Sequence, residues 1–375
     1  MINEQRLVDL FLMMCRVNTP ARHEKVLVDQ IQPLLEEIGL LCVRDGSNVQ
    51  TGSDTGNLIA TLPATVEGAP PIFFSTHFDT VEPNPNLQIV IEDGVIKTDG
   101  TSILGADDKG GMAPIIEAMR VIQERGIPHG EVQLLLTACE EIGLLGARYI
   151  DRTMINAKFG YVLDTGPPVG NIVYTAPTQE SMDIRLIGRP AHAGFEPEKG
   201  ISAIQMAARA IERMKLGRID PETTSNIGVV HGGTATNIVC AEVNLRAEAR
   251  SRNNEKLQAQ VQHMVETFEQ TAAEFGGKAE VTVRHMYDTY NLSESEPVIQ
   301  TAMAAANRLG LEPSLKEAGG GSDANYFNTF GIPTCVIGTG MRQIHTHQEN
   351  IAISDLVKDA EWVIAIIETV ANSHI

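Results

Sequence analysis

"LGADDKGGMAPIIEAMRVIQERGIPHGEVQLLLTACEEIG", Leu104 to Gly143, places a helix pattern and a strand pattern back to back. From Lys109 the apolar residues recur at helical spacing until Gly126, which reads as a stop. "EVQLLLTA" is then a short apolar run bounded by glycine and charge, the signature of a strand buried on both faces. The same texture continues on either side. "NLIATL" from Asn57, "PIFFST" from Pro71 and "GYVLD" from Gly160 read as strands, and "GLLGARYID" from Gly143 as a helix. Helices alternating with buried strands predict an α/β architecture, a central sheet covered by helices.

Near Pro177 the pattern changes. "QESMDIRLIG" alternates, "ISAIQMAARAIERMK" is an amphipathic helix, and "NIGVVHGG" and "AEVNLRAEAR" read as strands. A helix, "EKLQAQVQHMVETFEQTAAEF", and a last strand, "AEVTVRH", complete the order β-α-β-β-α-β of a ferredoxin-like unit. After about Asp288 the α/β texture returns, with "IQTAMAAANRLG", "IPTCVIG" and a closing helix through Trp362. The expected organisation is a discontinuous catalytic domain, residues 1–176 and 289–375, interrupted by an inserted α+β domain at 177–288.

Acids outnumber lysine plus arginine 48 to 29 over the 375 residues, a formal charge of −19, which argues against nucleic acid and anionic membrane as partners. The N-terminal "MINEQRLVDLFLMM" carries acids where a signal peptide carries lysines, and its apolar residues fall at helical spacing. No apolar run approaches the ~18 residues of a membrane span. Five scattered cysteines without a C-x-x-C pair indicate neither a disulfide framework nor a thiolate zinc site. A cytoplasmic protein is expected.

Chemistry gathers at the strand ends. His77 and Asp79 follow "PIFFST" two residues apart, on one side of extended chain, where a histidine ligand with an orienting acid or an ordinary loop H-x-D are both possible readings. Asp107 and Asp108 precede the helix; one acid suffices for an N-cap, leaving the second unexplained. Glu140 and Glu141 follow "LLLTAC", Asp164 follows "YVL", and far downstream "HTHQE" supplies His345 with Glu349 four residues later. Ligands of α/β sheets collect at the carboxyl ends of strands. Oxygen ligands with a few imidazoles and no thiolate suit Zn²⁺, Mn²⁺ or Co²⁺, and the surplus of acids suits two ions sharing a carboxylate.

"HFDTV", "GADDKGG", "EEIG", "LDTG" and "HTHQE", in that order, resemble the motifs of the M20 co-catalytic metallopeptidases, closest to the peptidase T-like tripeptidase branch. The resemblance spans essentially the whole chain. It implies two divalent ions, zinc first, with His77, Glu141, Asp164 and His345 as terminal ligands and Asp107 as the bridge. It further implies Asp79 orienting His77, Glu140 as general base, and a cis peptide after Asp107. The residues alone do not choose between Glu140 and Glu141. Asp164 stands where deacylating and carboxypeptidase relatives usually carry Glu, which resembles the aminopeptidase and dipeptidase branches.

In the inserted domain the resemblance marks His192 of "GRPAHAGFEPEKG" as a lid histidine that reaches a partner subunit's site, and Asn237 and Arg250 as substrate-binding residues. A homodimer through an edge strand of that domain, in "NIGVVHGG" or the strand after it, is expected. "EAGGGSDANYF" allows either an anion-binding turn or a plain turn capped by Ser322 or Asp323. The expected function is two-metal removal of the N-terminal residue from short peptides, tripeptides foremost. An N-acyl amino acid amidohydrolase or dipeptidase on the same fold is the enzymatic alternative, and a non-catalytic binding or scaffold protein the alternative of another class.

Overall fold

The computed structural model describes residues 2–373. The chain divides into two compact units, one of residues 1–175, 291–317 and 322–375, the other of 176–290 with 318–321.

The first unit is built on a mixed nine-stranded sheet. Its middle holds Val132–Thr137, Ile72–His77, Phe159–Val162 and Thr334–Ile337 in parallel, each strand fully buried along its length. Continuous apolar runs of this kind are what a sheet covered on both faces requires. Leu58–Leu62 and Leu41–Arg44 extend it antiparallel on one side. Register decides where the chemistry emerges. His77 pairs with Thr137 and Ser75 with Val162, so three neighbouring strands end at nearly one level and the residues after them surface together.

Helix Ala106–Arg125 packs across this sheet, against Glu4–Cys15 and the closing helix Ile353–Ala371. It ends at Gly126, whose φ of 59° is the left-handed geometry of a glycine stop. The glycine pair at its start has a packing cause. A Cβ at Gly111 would lie 2.4 Å from the Leu163 carbonyl oxygen, and one at Gly110 3.0 Å from Ile351 Cδ1. Only glycine lets the helix start come this close to the strand end that carries Asp164. A small separate sheet, Ile89–Glu92, Val95–Thr98 and Asn350–Ala352, turns at Asp93-Gly94, where both φ values are positive. This hairpin is absent from the sequence expectation, although Asp-Gly between strands is its usual signal.

The second unit is an antiparallel sheet ordered Gly217–Arg218, Thr223–Gly232, Glu242–Ser251, Thr178–Ile187, Lys278–Tyr287. Inward residues alternate along Thr178–Ile187 and meet helices Ala203–Arg213 and Asn254–Glu274 through Met182, Ile184, Met206, Leu257 and Phe268. Setting aside the short Gly217–Arg218, the order is that of the ferredoxin-like arrangement expected. Thr223–Gly232 is paired on its outer side only at Thr224 and Ser225, so among the described residues Asn226–Gly232 is a sheet edge.

Candidate active site

Five side chains from five separate stretches converge near the strand ends of the first unit. His77, Asp107 and Asp164 form one group of donor atoms within 4.8 Å of one another, and Asp107, Glu141 and His345 form another. Asp107 belongs to both. Its Oδ1 is 3.2 Å from His77 Nε2, and its Oδ2 is 3.0 Å from His345 Nε2, which also lies 3.2 Å from Glu141 Oε1. Glu140 shares a third group with His77 and Glu141, its Oε2 4.0 Å from His77 Nε2, and no group with Asp107. Imidazole nitrogens and carboxylate oxygens grouped in this way, without thiolate, fit borderline divalent ions.

The charges explain why cations suit the place. Burial, with the nearby charges of Asp164, Asp323 and Glu141, pushes Glu140 well above the carboxylate range; burial and Asp107 do the same to Asp164. Hydrogen bonds donated to the carboxylates of Asp107 and Glu141 push His345 up to about 10. Burial opposes ionisation of Asp107, but its contacts to His345 and His77 outweigh this and hold it low. The protein alone thus balances its crowded acids with protons, a balance that divalent cations would take over.

The peptide between Asp107 and Asp108 is cis, as the resemblance implies. Both residues depart from helical φ/ψ, so the bend precedes the regular helix. Glu349 holds this bend. Its Oε2 accepts the Leu104 and Gly105 N–H groups at 2.8 Å each, and its Oε1 accepts the Asp107 N–H at 2.9 Å. Asp108 is fully buried and accepts the His77 N–H at 3.4 Å. Asp79 lies beside His77, with Oδ1 3.5 Å and its backbone oxygen 3.1 Å from Nδ1. Its carboxylate also accepts the Glu140 N–H at 3.0 Å and the Glu141 N–H at 3.1 Å, a second duty not read from the sequence.

Asp323 is buried and pushed up to about 6 by burial, and it accepts the Thr137 hydroxyl at 2.5 Å. Its side chain makes no capping bond; Ser322 Oγ instead accepts the Ala324 N–H at 3.3 Å, so the plain turn is the better description.

In the second unit, His192 Nδ1 accepts the N–H groups of Gly194 at 3.1 Å and Phe195 at 3.2 Å. A nitrogen that accepts carries no proton, so Nε2 bears the N–H of the neutral ring. The Ala193 N–H donates to the Asn237 carbonyl and the Val239 N–H to the Ala191 carbonyl, both at 2.9 Å, which brings His192 and Asn237 onto adjacent backbone. Arg250 donates to both oxygens of Glu248, at 3.1 and 3.0 Å. It also sits against the glycine turn, since a Cβ at Gly320 would lie 3.3 Å from its Nη1.

The family model of peptidase family M20/M25/M40 matches residues 73–369. The crystal structure of aminopeptidase PepT from Bacillus cereus is 47% identical, covers 99% of this chain and 100% of its own, and superposes with a TM-score of 0.89. That of a tripeptidase from Staphylococcus aureus is 42% identical, covers 100% of both chains and gives a TM-score of 0.94. Peptidase T of Geobacillus kaustophilus is 30% identical over 97% of this chain and 98% of its own. Sequence, fold and the residues gathered at the strand ends therefore agree that this chain belongs to peptidase family M20/M25/M40, as a metallopeptidase of its peptidase T-like branch.

Proposed function

We propose that this protein removes the N-terminal residue from short peptides, tripeptides foremost, at a centre of two divalent cations, with zinc the first choice and manganese or cobalt able to substitute. The observation that carries this reading is the membership of Asp107 in two donor groups, His77 with Asp164 and His345 with Glu141. One carboxylate shared between two imidazole–carboxylate sets suits a bridged pair better than a single ion. Bound there, the cations would supply Lewis acidity toward the scissile carbonyl and acidify an attacking water.

The chain's own residues do the rest. Glu140 is buried beside these groups yet shares none with Asp107, which frees it to take the proton of the attacking water and pass it to the leaving amine. Asp79 holds Glu140 and Glu141 by their backbone and stands against His77, fixing base and ligand from one buried carboxylate. His192, with its proton on Nε2, is proposed to stabilise the oxyanion, and Asn237 and Arg250 to bind the peptide.

The open edge at Asn226–Gly232 supports a homodimer in which this strand pairs with its copy and His192 serves the partner's site. Mixing Glu140→Gln with His192→Ala subunits would then restore part of the activity, and exchanged subunits without recovery would make His192 a residue of its own chain's site or a structural one. Among the described residues no helix is long and apolar enough to cross a membrane, and the formal net charge of −19 suits a cytoplasmic enzyme without nucleic-acid or membrane partners.

A panel of di-, tri- and tetrapeptides, free and N-blocked, assayed with Zn²⁺, Mn²⁺ and Co²⁺, tests the reading. Turnover of free tripeptides and inertness of N-blocked ones is expected. Turnover of acetylated amino acids in place of tripeptides would replace it with the amidohydrolase reading.

A further inference from the structure

The turn that carries Glu140 and Glu141 is held by side chains rather than by the sheet. Past Thr137 the strand ends, and the next four backbone N–H groups all meet side-chain oxygens. Ala138 donates to Asn57 Oδ1 at 3.1 Å, Cys139 to Glu24 Oε1 at 3.0 Å, and Glu140 and Glu141 to the two oxygens of Asp79. Within this run Cys139 has a φ of 58°, the left-handed region that a residue with a Cβ adopts only when its surroundings dictate it.

We propose that Glu24, at the start of helix Lys25–Ile38 and more than a hundred residues from the turn in sequence, is a positioning residue that sets the direction of Glu140 and Glu141 by fixing Cys139. Glu24 is fully buried and belongs to none of the three donor groups. Its Oε1 accepts the N–H groups of Arg22 at 2.9 Å and Cys139 at 3.0 Å and lies 3.3 Å from the Cys139 thiol, while its Oε2 accepts the Ser53 hydroxyl at 2.6 Å. Three donors thus converge on Oε1 and one on Oε2, so the oxygen that faces Cys139 is fully engaged. The Cys139 carbonyl in turn accepts the Leu145 N–H at 3.0 Å, so both faces of this residue are held and the chain leaves it in one direction. A shift of about 1 Å at a catalytic group can cost about a hundredfold in rate, which makes the fixing of this backbone consequential.

The inference rests on the proposed roles of Glu140 and Glu141, and the test separates the two. Glu24→Asp keeps the charge but shortens the reach by one methylene; Glu24→Gln keeps the reach and an accepting oxygen; Ser53→Ala removes a donor to Glu24 without touching Cys139. Each variant is measured for kcat and KM on a tripeptide, for Zn²⁺ affinity of the chelator-stripped protein by calorimetry, and for Tm. Glu24→Asp is expected to lower kcat and Zn²⁺ affinity by about tenfold or more, the range for residues that orient ligands, with KM within about twofold. Glu24→Gln is expected within about threefold of wild type in both, and Ser53→Ala is expected to lower Tm alone. Wild-type kcat and Zn²⁺ affinity in Glu24→Asp would overturn the proposal, as would equal impairment in Glu24→Gln or losses that follow Tm across all three variants. If the wild-type protein cleaves no short peptide, the assigned reaction fails while the Zn²⁺ titration still judges Glu24.

Discussion

Glu349 Oε1 accepts the backbone N–H of Asp107 at 2.9 Å, so the acid shared by both donor groups is held from a segment more than two hundred residues away. The other Glu349 oxygen accepts the N–H groups of Leu104 and Gly105. Glu349→Ala would leave three buried donors without an acceptor, at about 1–3 kcal/mol each. Urea unfolding of the metal-free variant should show a loss of at least about 3 kcal/mol, with Glu349→Gln losing less. A loss under about 1 kcal/mol would mean that the bend holds itself.

Asp107 and Asp108 are adjacent, both buried, and differ in what they face. Asp107 meets two histidines, whereas among the described residues Asp108 accepts only the His77 N–H, at 3.4 Å. Asp107→Ala should therefore lose more bound metal than Asp108→Ala, measured by elemental analysis after dialysis, because removing a shared carboxylate leaves two cations to repel each other. Equal losses would show that the sharing acid has been misassigned.

Asp359, on the closing helix and 1% exposed, has no hydrogen-bond partner on either carboxyl oxygen among the described residues. Burial, reinforced by the charge of Asp355, pushes it well above the carboxylate range. A raised carboxyl binds its proton more tightly in the folded state. Its contribution to stability is thus complete below the unfolded value near 3.9 and is lost as pH rises toward and through the raised one, at about 1.4 kcal/mol per pH unit. Between pH 5 and 8 the wild-type protein should lose stability relative to Asp359→Asn in paired urea titrations. A difference that stays constant with pH would contradict this.

Four of the site residues were legible because each closes or follows a strand whose apolar run is visible in the sequence: His77 after "PIFFST", Glu140 and Glu141 after "EVQLLLTA", Asp164 after "GYVL". Strand ends aligned by register turn that local pattern into a site. What held the turns was hidden. Glu24, Asn57 and Glu349 act on backbone N–H groups, which every residue but proline carries, so no spacing or residue type betrays the partner. Glu349 alone had a signal, four residues after His345 in "HTHQE". The Asp93-Gly94 hairpin was readable from its dipeptide and was missed beside the apolar runs.

In the proposed reaction Glu140 moves the proton while Asp107 and its neighbours hold the cations. Tripeptide turnover by Glu140→Gln, at a metal content verified in the same sample, tests it most directly. Near two ions per chain are expected, with turnover lower by about 10²-fold or more, the effect of losing a general base. Full metal loading with near-normal turnover would contradict it.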